Sequence, residues 1–350
     1  MEELEMNRYS RQIMLPEFGL AGQEKLRNAK ILVIGAGGLG CPILQYLTAG
    51  GVGQLGIVDN DRVALSNLHR QILYNSNDIG KAKAHTAAKR LAELNPYVKT
   101  KVYDVRLNNE NAKGIFEGYD LVIDGSDNFF TRYLVNDTCV EIGIPLIFGS
   151  ILKFEGQVSV FNYQDGPQYR DLFPEPPPSD EVPNCSEIGV IGILPGLIGM
   201  YMANEAIKVI CGLGETLSGK LMVINTLTNQ ISVFKIQKRN RENIINRPAN
   251  KIIDYPEMDY ATLQSAIETD PDGIIILDVR EQKEFKSKNI GGINIPLAQL
   301  ATQIEEIPRD KKLVVCCQSG MRSKSAVKYL REHYSGEIFN LAGGISSISY

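Results

Sequence analysis

A glycine-rich loop and an acidic residue about twenty positions later are the first groups in this chain that could bind a nucleotide. The glycines are Gly35, Gly37, Gly38 and Gly40, between a predicted buried strand and a predicted helix. Glycines let backbone N–H groups approach phosphate oxygens, and the helix N-terminus adds partial positive charge. Asp59 ends the next predicted strand, where its carboxylate can accept hydrogen bonds from a ribose. This pattern predicts a nucleotide site and fits ATP and NAD equally well.

Polar residues farther along the chain favour a polyphosphate over a nicotinamide ring. They are Asp61, Asn67, Arg70, Lys83, Asp127 and Asn128. Attack on a phosphate needs cations to neutralise developing charge, and Arg70 and Lys83 can supply them. Asp127 follows a predicted strand and can hold Mg²⁺. Taken alone, Lys83 has a second interpretation, since it could belong to the solvent-exposed face of a helix.

A second candidate site is the loop Cys317, Gln318, Ser319, Gly320, Met321 and Arg322. It lies between a predicted strand at 312–316 and a predicted helix from about 322 to 334. Successive N–H groups in such a loop can form an anion-binding nest, which would stabilise a thiolate or persulfide on Cys317. Cys316 continues the apolar strand and is better explained as a buried cysteine. A cysteine phosphatase would need a longer loop, with a histidine before the cysteine.

Strands and helices alternate in the part of the chain that carries the nucleotide motifs. Apolar runs predict strands at residues 30–35, 55–59, 121–124 and 145–148, separated by helices at 39–49, 80–94 and 129–142. Such alternation implies a parallel sheet with helices on both faces. Alternating apolar and polar residues at 155–163 and 230–235 predict antiparallel strands. The fold class is therefore α/β, a Rossmann-like doubly wound sheet with an antiparallel extension.

The length of 350 residues suits two domains rather than one core. We predict a nucleotide-binding domain at residues 1–238, a polar linker at 239–256 and a small α/β domain at 257–350. An acidic, proline-rich stretch at 173–184 is predicted to be a surface loop, with Cys185 at its end. A long apolar helix is expected at 193–211.

The composition excludes several classes of protein. A formal net charge of −4 argues against nucleic acid as the main ligand. No continuous apolar run of 18–20 residues and no signal peptide are found, so we expect no membrane segment and a cytoplasmic location. Six cysteines without a CxxC pair, and only three histidines, do not supply a structural zinc site.

Six motifs occur in order and carry a family resemblance over about residues 5–238. They are RYSRQI (8–13), GAGGLG (35–40), VDNDRV (58–63), SNLHRQ (66–71), GKAKA (80–84) and DGSDNFFTR (124–132). This set resembles the MoeB/ThiF/HesA family, relatives of the ubiquitin-activating enzymes. The resemblance implies a homodimer that uses ATP to adenylate the C-terminal glycine of a ubiquitin-like sulfur carrier. It assigns the ribose to Asp59, the triphosphate to Asn67, Arg70 and Lys83, Mg²⁺ to Asp127, and a phosphate contact from the other subunit to Arg11.

Residues 257–350 resemble a rhodanese domain. The motifs that carry this resemblance are DVRE (278–281), NIPL (294–297), the Cys317 loop and LAGGI (341–345). The resemblance makes Cys317 the persulfide carrier and Arg322 the cation that shapes its loop. Asn289 and Ile348 depart from residues common in the family, outside the active loop.

Two features of the first domain bear on its cysteines. Family members usually hold zinc with two CxxC pairs, but residues 168–171 and 239–247 contain no cysteine, so no zinc is expected. Cys185 matches a cysteine of the family's mobile loop, and whether it is catalytic stays open.

The two domains together predict adenylation of a carrier that ends in Gly-Gly, followed by attack of a persulfide to form a thiocarboxylate. An upstream sulfur donor is implied. Such carriers serve molybdopterin, thiamine or tRNA-thiolation pathways, and we favour molybdopterin. The alternatives are an NAD-dependent oxidoreductase, supported only by the glycine loop and Asp59, and a non-catalytic scaffold that binds a ubiquitin-like protein. A narrower alternative is adenylation alone, with an inert second domain.

Overall fold

The computed structural model describes residues 2–176, 189–239, 256–309, 311–331 and 333–348. These residues form two compact units, one before and one after residues 240–255. The predicted linker at 239–256 lies almost entirely outside the described residues, so the domain boundaries stay predictions. The same holds for most of the predicted loop at 173–184.

The first unit is built on one sheet of eight strands. In chain order they are β1 (Lys30–Ile34), β2 (Gln54–Val58), β3 (Lys99–Tyr103), β4 (Leu121–Asp124), β5 (Leu146–Leu152), β6 (Glu155–Phe161), β7 (Lys220–Asn225) and β8 (Gln230–Lys235). The spatial order is β3-β2-β1-β4-β5-β6-β7-β8. Pairing is parallel from β3 to β5 and antiparallel from β5 to β8. This order confirms the doubly wound sheet with an antiparallel extension.

Eight helices accompany these strands in the described part of the first unit. They are α1 (Glu3–Ile13), α2 (Gly19–Asn28), α3 (Gly40–Gly50), α4 (Lys83–Leu94), α5 (Ala112–Phe116), α6 (Phe129–Ile142), α7 (Tyr169–Leu172) and α8 (Ile193–Cys211). Side chains of β1 alternate between two cores, with Ile31 and Val33 in one and Leu32 and Ile34 in the other. Both faces of β1 are therefore covered, as a parallel sheet requires.

Two strands of the first unit were absent from the prediction. β3 (KTKVY) has partly exposed positions and three polar residues, so it lacks the apolar run that identifies a buried strand. β7 (KLMVIN) is buried on parts of both faces and lacks the alternation expected of a half-exposed strand. α4 also begins three residues later than predicted, because Ala82 forms a bridge with Arg62.

Helix α8 is long and apolar enough, by length and composition, to cross a membrane. This differs from the expectation that no segment reaches that length, because the apolar character continues past Glu205 and Lys208. In the structure the buried side chains of Leu194, Ile198 and Met202 belong to the same core as β1. Burial against a sheet explains why this helix is apolar over most of its length.

The second unit is a five-stranded parallel sheet with helices. Its strands are β9 (Glu257–Met258), β10 (Ile274–Asp278), β11 (Ile293–Asn294), β12 (Lys312–Cys316) and β13 (Ile338–Leu341), in the order β11-β10-β12-β13-β9. Its helices are α9 (Tyr260–Thr269), α10 (Gln282–Ser287), α11 (Leu300–Gln303) and α12 (Met321–Leu330). This confirms the small α/β unit, although only β10 and β12 of its strands were predicted and α12 ends four residues before the predicted end at 334.

Candidate functional site

A cavity of about 550 Å³ opens where the carboxyl ends of β1, β2 and β4 meet. Its lining includes nine residues predicted from the sequence: Gly35, Gly37, Gly38, Asp59, Asp61, Arg70, Lys83, Asp127 and Asn128. These residues come from five separate segments, and the parallel sheet brings them to one edge. In an open α/β sheet this edge is where ligands bind.

The glycine loop at the cavity floor leaves little room for side chains. Gly35 has φ +87°, in the left-handed region that favours glycine. A Cβ atom at Gly40 would lie 1.9 Å from the carbonyl oxygen of Gly35, so only glycine fits there without a backbone shift. Gly40 thus shapes the loop from the first turn of α3, and it is not part of the cavity lining in the described structure.

Asp59 follows β2 directly and makes hydrogen bonds both to the glycine loop and to the turn after β2. Its two carboxylate oxygens accept hydrogen bonds from Ala36 N at 2.7 Å and from Asp61 N at 2.8 Å. Burial raises the pKa of the Asp59 carboxyl, and the nearby Lys83 opposes that effect. The side chain is therefore fixed in place at the cavity wall.

Lys83 is a buried cation at the first position of α4. Its Nζ lies 2.9 Å from Asp61 Oδ2, and the residue is only 5% exposed. The alternative of a solvent-exposed helix face is therefore wrong for this lysine. A buried cation held by a single, exposed carboxylate is well placed to meet an anionic ligand in the cavity.

Arg70 and Asn67 differ in their positions although they are three residues apart. Arg70 lines the cavity, with its guanidinium 3.0 Å from the Ser66 carbonyl oxygen. Asn67 lies outside the described cavity lining, and its side-chain oxygen accepts from Ala64 N at 3.3 Å. In this structure Asn67 stabilises its own turn, and its predicted contact with the triphosphate stays a prediction.

The segment after β4 supplies the acidic side of the cavity. Asp127 and Asn128 are exposed on the wall, and Asn128 caps α6 by accepting from Thr131 N at 2.9 Å. Asp127 makes no ion pair with any of the described residues. Asp124 is buried beneath them, and burial raises the pKa of its carboxyl. Asp127 is therefore the accessible carboxylate of this segment.

Further polar residues of the cavity were not among the predicted site residues. They are Asn60, Ser66, His69, Gln71, Arg106, Ser126, Thr131 and Arg132. Arg106 follows β3, the strand that the sequence pattern missed, so its position at the sheet edge could not be predicted. Arg132 is 9% exposed and lies over the rings of Phe129 and Phe148, at 5.3 and 5.5 Å. Arg132 belongs to the motif at 124–132, so that motif could have identified it as a residue of the site.

Unsatisfied polar atoms concentrate at this cavity. Four buried side-chain atoms lack a hydrogen-bond partner within the described structure, and three of them belong to cavity residues: Gln71 Oε1, Ser126 Oγ and Arg132 Nε. Buried polar groups in folded proteins almost always have partners. Their absence here fits a site shaped for a polar ligand.

A further predicted residue, Arg11, is not part of the cavity lining among the described residues. It is exposed in the last turn of α1, so its contact across a dimer stays a prediction. Cys185 lies outside the described residues.

In the second unit, Cys317 follows β12 and is fully buried, on the face opposite Cys316. Its carbonyl oxygen accepts from Ile345 N, and that of Gln318 accepts from Ser346 N, both at 2.9 Å. Within the described chain, the N–H groups of residues 318–320 donate to no protein acceptor. This is the arrangement expected of an anion nest at the start of α12.

Charged side chains fix both ends of the Cys317 loop. Arg280 is 2% exposed, pairs with Asp278 at 2.7 Å and donates to Gln318 Oε1 at 3.1 Å. Arg322 makes a two-pronged contact with Glu284 at 2.7 and 2.8 Å. The sequence identified Arg322 but not Glu284, which lies 38 positions away on α10. The side chain of Met321, which also belongs to the predicted loop, lies outside the described part of the structure.

No cluster of three or more His, Cys, Asp or Glu side chains suited to a metal ion occurs among the described residues. At residues 168–171, where the family commonly has a cysteine pair, Gln168 N donates to Asp171 Oδ2 at 2.8 Å. Arg170 pairs there with Asp137. The expectation that zinc is absent stays a prediction.

Comparison with known proteins identifies both units. A model of the ThiF family matches residues 9–244, and a model of the rhodanese-like domain matches residues 259–349. The fold also resembles the crystal structure of E. coli MccB, with a TM-score of 0.60 and 21% identity over 67% of this chain and 71% of that one. The likeness to MccB shows the fold alone.

Curated relatives extend over one or both units. A sulfur carrier protein adenylyltransferase of Thermus thermophilus is 51% identical and covers 68% of this chain and 89% of its own. A probable molybdopterin-synthase adenylyltransferase of Porphyra purpurea is 41% identical over 98% and 92%. A probable adenylyltransferase/sulfurtransferase MoeZ of Mycobacterium tuberculosis is 38% identical over 97% and 92%.

The chain therefore belongs to the ThiF family and carries a C-terminal rhodanese-like domain. It is an enzyme of the adenylyltransferase and sulfurtransferase class, and membership of that class implies the use of ATP. The oxidoreductase and scaffold alternatives are not supported.

Proposed function

We propose that this enzyme adenylates the C-terminal glycine of a ubiquitin-like sulfur carrier and then transfers sulfur to it from a persulfide on Cys317. The observation that carries the proposal is the cavity in which the glycine loop, Asp59, Lys83 and Asp127 meet. The names of the Thermus and Mycobacterium relatives support the carrier as substrate and the second activity, respectively.

In the first step a carboxylate oxygen of the carrier attacks the α-phosphorus of ATP. The bond from that phosphorus to the pyrophosphate oxygen breaks, giving an acyl adenylate and pyrophosphate. Lys83 and Arg70 stabilise the negative charge that develops, and Asp61 holds Lys83 in position. Asp59 binds the ribose, and the glycine loop binds phosphate oxygens through its N–H groups.

Asp127 is the residue that we assign to Mg²⁺. Its exposed carboxylate on the cavity wall offers the oxygen ligand that this ion prefers. When bound, Mg²⁺ would supply charge neutralisation at the phosphates. The protein side chains position the two reactants.

In the second step the outer sulfur of the Cys317 persulfide attacks the carbonyl carbon of the acyl adenylate. The bond from that carbon to the AMP oxygen breaks, and an acyl disulfide forms. A thiol then attacks Cys317 Sγ, which releases the thiocarboxylate and leaves a disulfide between that thiol and Cys317. Cys185 is one candidate for this thiol. A further thiol reduces this disulfide and frees the thiol of Cys317. An upstream sulfane donor then transfers a sulfur atom to Cys317 and restores the persulfide.

The finer assignments are also proposals. We favour a carrier of the molybdopterin pathway, since the Porphyra relative is named for molybdopterin synthase. We further propose a homodimer in which Arg11 reaches the phosphates of the other subunit, and a cytoplasmic location.

Carrier-dependent exchange between ATP and pyrophosphate tests the adenylation step. We expect exchange with a carrier ending in Gly-Gly, none with the same carrier lacking those glycines, and a loss of about 100-fold or more in Asp127→Ala and Lys83→Met. Lys81→Met is the matched control, because Lys81 is exposed, pairs with Asp78 and does not line the cavity. Exchange that persists in Asp127→Ala, or that ignores the glycine tail, would contradict the proposal.

A further inference from the structure

Buried polar side chains connect the thiol of Cys317 to the far edge of the second sheet. Ser323 Oγ lies 3.4 Å from Cys317 Sγ and donates to Asn340 Oδ1 at 2.6 Å. Asn340 in turn donates from Nδ2 to Glu257 Oε1 at 3.3 Å. Ser323 and Asn340 are both 0% exposed. Fully buried polar groups lower stability unless their hydrogen bonds are made, so each hydrogen bond of this pair has to be accounted for.

The hydroxyl of Ser323 has one hydrogen and two neighbours that can accept it. A hydroxyl donates one hydrogen bond, so Asn340 Oδ1 and the sulfur of Cys317 compete for it. In the structure the shorter contact is to Asn340, and a lone pair of Ser323 Oγ is left for the proton of the Cys317 thiol. A thiolate has no proton to donate and is stabilised by a donor. Rotation of the O–H bond alone supplies this donor, and Asn340 then loses it.

We propose that Ser323 is a positioning residue that makes Cys317 a better nucleophile by donating its hydroxyl hydrogen to the sulfur anion. Asn340 opposes this by competing for the same hydrogen, and so favours the protonated, buried thiol. The inference rests on the proposed role of Cys317 as the sulfur carrier. The hydroxyl thereby switches partner each time the cysteine passes between thiol and anion.

The other charged groups around the sulfur are held in ion pairs on several elements. The pairs are Asp278 with Arg280 at the end of β10, Glu284 on α10 with Arg322 on α12, and Glu257 on β9 with Lys324 on α12. Cys316 faces the opposite side of the sheet, and burial raises the pKa of its thiol. None of these ion pairs uses the Ser323 hydroxyl, so its removal leaves them intact.

The test is the pH dependence of Cys317 alkylation by iodoacetamide in the full-length protein. All variants carry Cys316→Ala, since the two cysteines fall in one tryptic peptide, and the modified peptide is quantified by mass spectrometry. The midpoint of the profile reports ionisation of the thiol, and the plateau at high pH reports access to the buried sulfur.

The proposal makes opposite predictions for the two partners of the hydroxyl. Ser323→Ala raises the midpoint by about one pH unit, because the anion loses its donor. Asn340→Leu, which keeps the number of side-chain heavy atoms but removes the competing acceptor, lowers the midpoint. Ser323→Thr retains the hydroxyl and stays near the parent value. The double variant Ser323→Ala with Asn340→Leu matches Ser323→Ala alone.

A merely structural role gives a different pattern. Loosening of the loop would raise the plateau in both single variants and shift their midpoints in the same direction. An unchanged midpoint in Ser323→Ala, or a shift of both single variants in one direction, overturns the proposal. If Ser323→Ala does not fold, the downward shift in Asn340→Leu still decides. The assay uses neither ATP nor a carrier, so its failure is distinct from a failure of the proposed function.

Discussion

Asp59 combines a half-buried position with a charge that the proposed chemistry requires. Its two oxygens accept hydrogen bonds from Ala36 N and Asp61 N, yet burial raises the pKa of its carboxyl. A raised pKa means that the folded chain takes up the proton more readily than the unfolded chain. Ionised Asp59 therefore lowers the free energy of unfolding above its folded-state pKa, and this cost disappears as the pH falls through that value.

We expect the free energy of unfolding to depend on pH differently in the parent and in Asp59→Asn. As the pH falls from 7 to 4, the parent should gain stability relative to the variant, because only the parent can protonate this carboxyl. The variant should also lose ATP–pyrophosphate exchange. Urea unfolding at several pH values, with β1 and β2 followed by hydrogen exchange, measures the difference. A difference that does not depend on pH would mean that the pKa of Asp59 is not raised.

The burial of Lys83 could not be predicted from its own position in the sequence. Its sequence position allowed an exposed helix face, but the structure buries it against Asp61, 22 positions earlier. The physical reason is that residues 80–82 pair with the segment after β2, which turns the first residue of α4 toward the cavity.

The glycine loop and α3 act together at the scale of the element. Gly40 opens the helix against the carbonyl of Gly35, and Gly50 ends it with no atom near the place of a Cβ. The same helix therefore contains a glycine that cannot accept a methyl group and one that can.

This contrast gives a matched pair of substitutions. Gly40→Ala should lower the free energy of unfolding by about 1–3 kcal/mol and abolish exchange, because the loop must move. Gly50→Ala should leave exchange intact and stabilise the helix by up to about 1 kcal/mol. Thermal unfolding and the exchange assay measure both effects. Equal behaviour of the two variants would contradict the assigned role of Gly40.

The whole molecule contains two α/β units, each with a candidate site at the carboxyl ends of parallel strands. In both sites the proposed chemistry would place an anion beside the first turn of a helix, where backbone N–H groups have no partner within the helix. The two half-reactions that we propose are correspondingly separable.

We expect Cys317→Ser to retain carrier-dependent exchange and to lose thiocarboxylate formation by at least about 100-fold, because serine cannot carry a persulfide. Cys316→Ala is the control and should retain both activities, since Cys316 faces the other core. Mass spectrometry of the carrier C-terminus measures the product. Thiocarboxylate formed at the parent rate by Cys317→Ser would show that the second unit is inert in this reaction.

Local signals in the sequence were sufficient for much of this description. The glycine loop with Asp59, the strand–helix alternation and the Cys317 loop each lie within a short segment, so backbone chemistry and hydrophobic periodicity predict them. In the first unit, β3 was missed because its polar residues leave no apolar run. β7 was missed because burial on parts of both faces removes the alternation that identifies a half-exposed strand.

Tertiary structure decided which distant residues meet. The pairing of Lys83 with Asp61, the arrival of Arg106 and Arg132 at the cavity, and the hydrogen bonds from Cys317 through Ser323 to Asn340 all depend on strand order. The sequence by itself predicted a nucleotide site at the glycine loop and a reactive cysteine in the Cys317 loop, since each motif lies within a short segment. Only the folded sheet determined their complete membership, because the order of strands in a sheet is set by packing over the whole unit.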